Sequence, residues 1–191
     1  SGRARPTGDP ELIKHAVKML SEASSPMVFA GGGVWWSQAY DELRLLVERM
    51  GIPFYTSPMS RGLLPDDHEM SFPAARSGAF RGADVVLVVG TRMNWMMTFG
   101  QRIASESKII QIDIHGAERG HNRSVDVGIE GDAKAVLQQL VDEADRIGFK
   151  SKAKSKWIDK LREADLSRRE RVAPLENSDQ QPIHPLRLCK E

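Results

Sequence analysis

ADVVLVVG, residues 83–90, holds an unbroken apolar run of strand length, residues 85–89, that closes on a glycine. A strand wetted on one side alternates apolar and polar residues. A run apolar on both sides of the pleat belongs to a strand covered on both faces, as in a parallel sheet. Further segments that read as strands lie on either side: residues 27–30 and 52–56 upstream, 108–114 and 125–129 downstream. Helical patterns fall between them. Asp9, Pro10 and Glu11 read as an N-cap, a first-turn proline and an acid at the positive dipole end. Leu12, Ile13, Ala16, Val17 and Leu20 follow at helical spacing. Ser37 is placed to cap a second helix carrying Leu43, Leu46, Val47 and Met50, which Gly51 ends. Residues 95–104 read as a further helix. Asp132 caps a clear amphipathic helix with Val136, Leu137, Leu140, Val141 and Ala144 on one face. Strands alternating with helices predict an α/β fold built on a parallel sheet with crossover helices.

The chain has 191 residues, 40% hydrophobic and 28% charged, which suits one globular domain with length left for linkers. Its net charge of +1 gives no reason to expect nucleic acid or an anionic membrane surface as a partner. The longest apolar run is a strand's length, too short to span a bilayer. Cys189 is the single cysteine, so no internal disulfide forms; one thiol suits a reducing compartment, and a cytoplasmic location is expected.

A strand running into clustered glycines before a helix is a common phosphate-holding geometry, because glycines let backbone amides approach the anion. Here the string is Gly31-Gly32-Gly33-Val34-Trp35-Trp36. Trp36 stands where G-x-G-x-x-G requires its third glycine, and the second strand ends Tyr55-Thr56-Ser57 without the acid that an NAD site places on the ribose. A phosphate cradle and a ligand-free tight turn both fit the cluster. In open α/β sheets ligands sit off the carboxyl ends of the strands. At those ends Arg92 can pair a phosphate bidentately and Asp113 can accept from ribose hydroxyls. The structural alternatives are a surface ion pair for Arg92 and a turn cap for Asp113.

Four segments then occur in order: PMSRGLLPDD at 58–67, AARSGAFRGAD at 74–84, VGTRMNWMMTFG at 89–100 and KIIQIDI at 108–114. Together they resemble the middle domain of thiamine-diphosphate enzymes of the acetolactate synthase group. Within it, GTRMNW at 90–95 is most similar to oxalyl-CoA decarboxylase and 2-hydroxyacyl-CoA lyase. The resemblance covers roughly residues 9–147. It implies a Rossmann-like parallel sheet of six strands with helices on both faces, holding FAD in acetolactate synthase, ADP in oxalyl-CoA decarboxylase and nothing in other members. The positions that match the family's nucleotide contacts are Gly32, Gly33, Ser57, Met59, Gly90, Arg92, Asp113, Ile114, Gly131 and Asp132. Two departures stand out. Gly32 occupies the position of a lysine in oxalyl-CoA decarboxylase, and Met93-Asn94-Trp95 replaces a charged string of the synthases. Trp35 and Trp36 either stack on a ligand or fill the cleft.

In the same family the glutamate that activates the thiazolium lies in an N-terminal domain, and the Mg2+ and diphosphate site, G-D-G followed by Asn, in a C-terminal one. The resemblance therefore places thiamine diphosphate and Mg2+ outside this chain. It makes the chain non-catalytic alone, with the missing N- and C-terminal catalytic domains as its partners and a homo-oligomeric full-length protein. Gly131-Asp132-Ala133 lacks the second glycine, so an N-cap is the better reading of Asp132. The five histidines show no zinc spacing, and no G-x-S-x-G elbow is present. Arg168, Arg169 and Arg171 read as a solvated helix face; Met93, Met96, Met97 and Phe99 read as packing. The expected organisation is a leading linker at 1–8, the Rossmann-like domain at 9–148, a charged helical linker at 149–181, and the start of a diphosphate-binding domain at 182–191. Two other functions compete: a binding-only structural domain with no nucleotide, and a free-standing nucleotide-dependent oxidoreductase or sirtuin-like deacylase. The missing ribose acid and the lack of zinc cysteines weigh against the last.

Overall fold

Five strands form one fully parallel sheet in the computed structural model, which describes residues 4–150 and 155–190. In chain order they are β1 (Pro26–Ala30), β2 (Phe54–Thr56), β3 (Val85–Val89), β4 (Lys108–Asp113) and β5 (Val127–Glu130). In space the order is β2-β1-β3-β4-β5. After β2 the chain therefore crosses to the other side of β1, and the order reverses between β1 and β3. The expected sixth strand is absent among the described residues. The α/β class and the parallel pairing hold, since β1, β3 and β4 bury every apolar residue on both faces of the pleat.

The helices are α1 (Pro10–Glu22), α2 (Gly32–Ser37), α3 (Tyr40–Met50), α4 (Arg76–Gly82), α5 (Ala133–Arg146), α6 (Ser155–Glu176) and α7 (Pro185–Lys190). Alternation along β3 divides them between two cores. Val85, Leu87 and Val89 join Leu20 of α1, Leu46 of α3 and Leu137 of α5 on one face. Val86 and Val88 join Phe80 of α4 and Trp157, Ile158 and Leu161 of α6 on the other. Phe29 and Phe80 meet edge to face at 5.3 Å, and the Trp157 indole N–H donates to the Pro26 carbonyl at 3.0 Å. The thin apolar stripe of α6 is thus a docking stripe beneath the sheet.

Several local expectations are corrected. Residues 95–104 are not an α-helix: a 3-10 turn spans Trp95–Gly100, and Thr98 and Phe99 take positive φ inside it. Ser37 does not cap the second helix; its hydroxyl accepts the Lys134 amide at the start of α5 instead. Ser37 ends α2, Gln38 follows in the left-handed region, and α3 begins at Tyr40. Helix α6, Ser155–Glu176, falls inside the stretch 149–181 expected as a charged helical linker. Residues 151–154 of that expected linker lie outside the described residues. Asp9 and Asp132 do cap α1 and α5, each accepting from two backbone amides.

Candidate functional site

Strands β1, β3, β4 and β5 all point their carboxyl ends at one rim, and a cleft of about 480 Å³ opens there. This is where the strand order reverses, the usual ligand position in open α/β sheets. Nine of the ten positions singled out from the sequence line it: Gly32, Gly33, Met59, Gly90, Arg92, Asp113, Ile114, Gly131 and Asp132. Ser57 does not. Its amide donates to the Ala30 carbonyl at 2.9 Å, its hydroxyl lies 2.9 Å from that of Ser60, and it lines a neighbouring cavity.

The glycine cluster is used mostly for packing. The Gly31 amide donates to the Val89 carbonyl and the Gly33 amide to the Gly90 carbonyl, both at 2.8 Å. A β-carbon on Gly33 would lie 2.7 Å from the Gly90 α-carbon, and one on Gly31 2.5 Å from the Gly90 carbonyl oxygen. The β1 and β3 turns thus touch backbone to backbone. Gly32 differs, because its nearest neighbour in that direction is the Met59 β-carbon at 3.4 Å, on the cleft side. Of the three amides, those of Gly31 and Gly33 are already donated to backbone carbonyls.

Arg92 and Asp113 reach the rim from neighbouring strand ends. Arg92 Nε pairs with Glu118 at 3.0 Å on an exposed surface. Asp113 is buried, and one carboxylate oxygen accepts the His115 amide at 2.9 Å. Both structural readings are therefore realised. Neither pair occupies the full hydrogen-bonding capacity of an arginine fork or a carboxylate.

Asp132 forms the cleft's most connected corner. Its Oδ1 accepts from Arg5 at 2.9 Å, from the Ser37 hydroxyl at 2.8 Å, and from the Lys134 and Ala135 amides at the start of α5. Burial pushes this carboxyl up, but the hydrogen bonds from Arg5, Ser37 and the Ala135 amide outweigh it and hold Asp132 below its ordinary value. All of these bonds fall on the one oxygen of an N-cap, Ala133 offers no further donor, and among the described residues no three His, Cys, Asp or Glu side chains gather here or elsewhere. The Gly131-Asp132-Ala133 segment does not fit a Mg2+ and diphosphate site. Trp36 lines the cleft yet is 78% exposed, so it leaves the cleft open, and Trp35 meets Tyr40 in a T-shaped ring contact at 5.8 Å.

Sequence reasoning missed Thr91, Ser37, His115 and Arg5. Thr91 sits between two residues already singled out and could have been found. Arg5 and Ser37 lie 127 and 95 residues from Asp132, and nothing in their local sequence points to that partner.

The family model of the thiamine pyrophosphate enzyme central domain matches residues 13–140. The 2-hydroxyacyl-CoA lyase 1 of Mus musculus is 39% identical over 150 residues, covering 78% of this chain and 26% of the relative. The oxalyl-CoA decarboxylase of Escherichia coli K12 is 37% identical over 135 residues, 70% of this chain and 24% of the relative. The acetolactate synthase large subunit IlvG of Mycobacterium tuberculosis is 35% identical over 188 residues, 98% and 33% respectively. An enzyme from Mycobacterium smegmatis assigned to the thiamin diphosphate-dependent class shares the fold at TM-score 0.62 and 22% identity, over 75% of this chain and 29% of that one. The chain spans 24% to 33% of the length of these curated relatives. With the model matching well over half of its residues, this chain belongs to the thiamine pyrophosphate enzyme central-domain family.

Proposed function

We propose that this domain is the central scaffold of a thiamine-diphosphate-dependent lyase or carboligase, and that its cleft holds the ADP moiety common to ADP and FAD. The whole protein would form or cleave a carbon–carbon bond next to a carbonyl, with a 2-keto acid or an acyl thioester as substrate. Thiamine diphosphate and Mg2+ would be held by its other domains, since the residues here do not fit that group. No step of the chemistry is assigned to this chain.

One observation carries the nucleotide reading. Arg92 and Asp113, from adjacent strands, share one rim with the Gly32–Gly33 turn at the point where the strand order reverses. An arginine fork suits a phosphate and a buried carboxylate suits ribose hydroxyls. A volume of about 480 Å³ lies within the range of small-molecule sites. One set of contacts favours a second reading, a scaffold with no nucleotide: the donated Gly31 and Gly33 amides, the Arg92–Glu118 pair and the Asp113 turn cap.

Calorimetry and thermal unfolding with ADP and FAD separate the two. A nucleotide domain gives saturable heat and a raised midpoint, with stabilisation of about 2.7 kcal/mol at a hundredfold excess over Kd. Arg92→Gln then weakens binding by roughly tenfold or more. Absence of both heat and shift at millimolar nucleotide leaves the scaffold reading.

A further inference from the structure

Beyond Gly32, Met59 and Thr91, on the side away from Asp113, lies a second cavity of about 310 Å³. Its wall is largely apolar, with Phe29 and Met97 buried and Met59, Trp95 and Met96 exposed. Set into this wall are two arginines, Arg76 and Arg102. Arg76 lies over the Phe29 ring at 5.1 Å and the Phe80 ring at 5.8 Å. Its Nε is shielded from solvent and has no acceptor among the described residues. No carboxylate lines the cavity. The carboxylate of Asp165, on α6 nearby, is taken by the Ala74 amide at 2.7 Å and by Arg169 at 2.6 Å.

We propose that this cavity is an anion site, in which Arg76 and Arg102 hold one oxyanion of an organic ligand whose apolar part packs on Met59, Trp95 and Met96. Guanidinium forks match the oxygens of a carboxylate or phosphate, and two of them around one group share its charge. The site is unbalanced without such a group. Burial first, and then the like charge of Arg102, hold Arg76 below its ordinary value. A shielded N–H without an acceptor is costly and uncommon in a native fold. An oxyanion seated on the guanidinium edge supplies the acceptor and offsets the repulsion. The exposed indole and thioethers beside it provide the packing surface for the body of the ligand. This site does not depend on nucleotide in the main cleft, because Arg92, Asp113 and Asp132 take no part in it.

Titration of the 191-residue chain with phenyl phosphate, benzoate and inorganic phosphate at constant ionic strength tests the assignment, read by calorimetry and tryptophan emission. One aromatic anion is expected to saturate at one site per chain and to bind more tightly than inorganic phosphate. Which of the two binds distinguishes a phosphate head from a carboxylate. Arg102→Gln is expected to weaken binding by at least about tenfold. Arg102 is exposed, so this variant keeps the fold even if Arg76→Gln does not. Arg92→Gln is expected to leave binding unchanged. The assignment is overturned by no saturation at ~10 mM ligand, by unchanged affinity in Arg102→Gln, by equal affinity for inorganic phosphate, or by loss of binding in Arg92→Gln.

Discussion

Gly33 and Gly90 illustrate how much a single missing side chain decides. Gly90 takes φ +59°, in the region that favours glycine, and so turns the chain sharply off β3. Gly33 has no such demand. It is glycine because the Gly90 backbone sits where its β-carbon would go, 2.7 Å from the neighbouring α-carbon. That contact brings the β1 and β3 turns together and so shapes the floor of the cleft. Gly33→Ala must push two backbones apart. The expected loss is about 2 kcal/mol, within the range for overpacked sites, measured as a lower urea midpoint. An unchanged midpoint would show that the turns are not in contact. Gly32→Ala, whose β-carbon would meet only the Met59 β-carbon at 3.4 Å, should cost far less.

Helix α5 shows what one residue does for an element. Its N-cap, Asp132, also fastens Arg5 of the leading segment and Ser37 at the end of α2. Gly8 is tied to Gln139 of the same helix at 2.7 Å. Residues 5–8, expected as a linker, are therefore laid along α5 by hydrogen bonds. Asp132→Ala removes the cap and the two side-chain ties, and should cost about 1 kcal/mol for the cap alone. The pH dependence has a definite sign. Asp132 is held below its ordinary value of 3.8, so the folded state binds its proton less readily than the unfolded chain. Its stabilisation is full above pH 3.8 and is lost as pH falls through the folded value. In Asp132→Asn this component of acid destabilisation should be missing, checked by urea midpoints between pH 5 and pH 2. An identical acid limb in both proteins would contradict the assignment.

At the scale of the molecule the sheet separates two cores that can fail independently. The face carrying α1, α3 and α5 holds the larger group of buried side chains, and the face carrying α4 and α6 depends on Phe80, Trp157, Ile158 and Leu161. Trp157 is buried and also donates to Pro26 at the start of β1. Trp157→Ala should therefore cost about 3–5 kcal/mol, chiefly by undocking α6. Hydrogen exchange should show lost protection in α6 and the nearby β1, while α3 and α5 remain protected. Uniform loss through both faces would mean that the cores are coupled.

What could be read from the residues in order was whatever local chemistry dictates. Unbroken apolar runs such as residues 85–89 require cover on both faces and so a parallel sheet. Asp9 and Asp132 were legible as caps because a cap bonds to amides two and three positions away. Arg92, Asp113 and the glycines were legible as strand-end residues because a parallel sheet sends all such ends to one side. Contacts that close over long separations were not legible. The strand order that puts β1 beside β3, the meeting of Gly33 with Gly90, the grip of Arg5 and Ser37 on Asp132, and the pairing of Arg76 with Arg102 around a second cavity carry no local pattern. Left-handed backbone at Thr98 and Phe99 likewise overrode a run of helix-compatible residues. These features arise only when the packed sheet brings distant backbones within a few ångströms, and there steric exclusion and hydrogen-bond satisfaction, rather than residue periodicity, set the outcome.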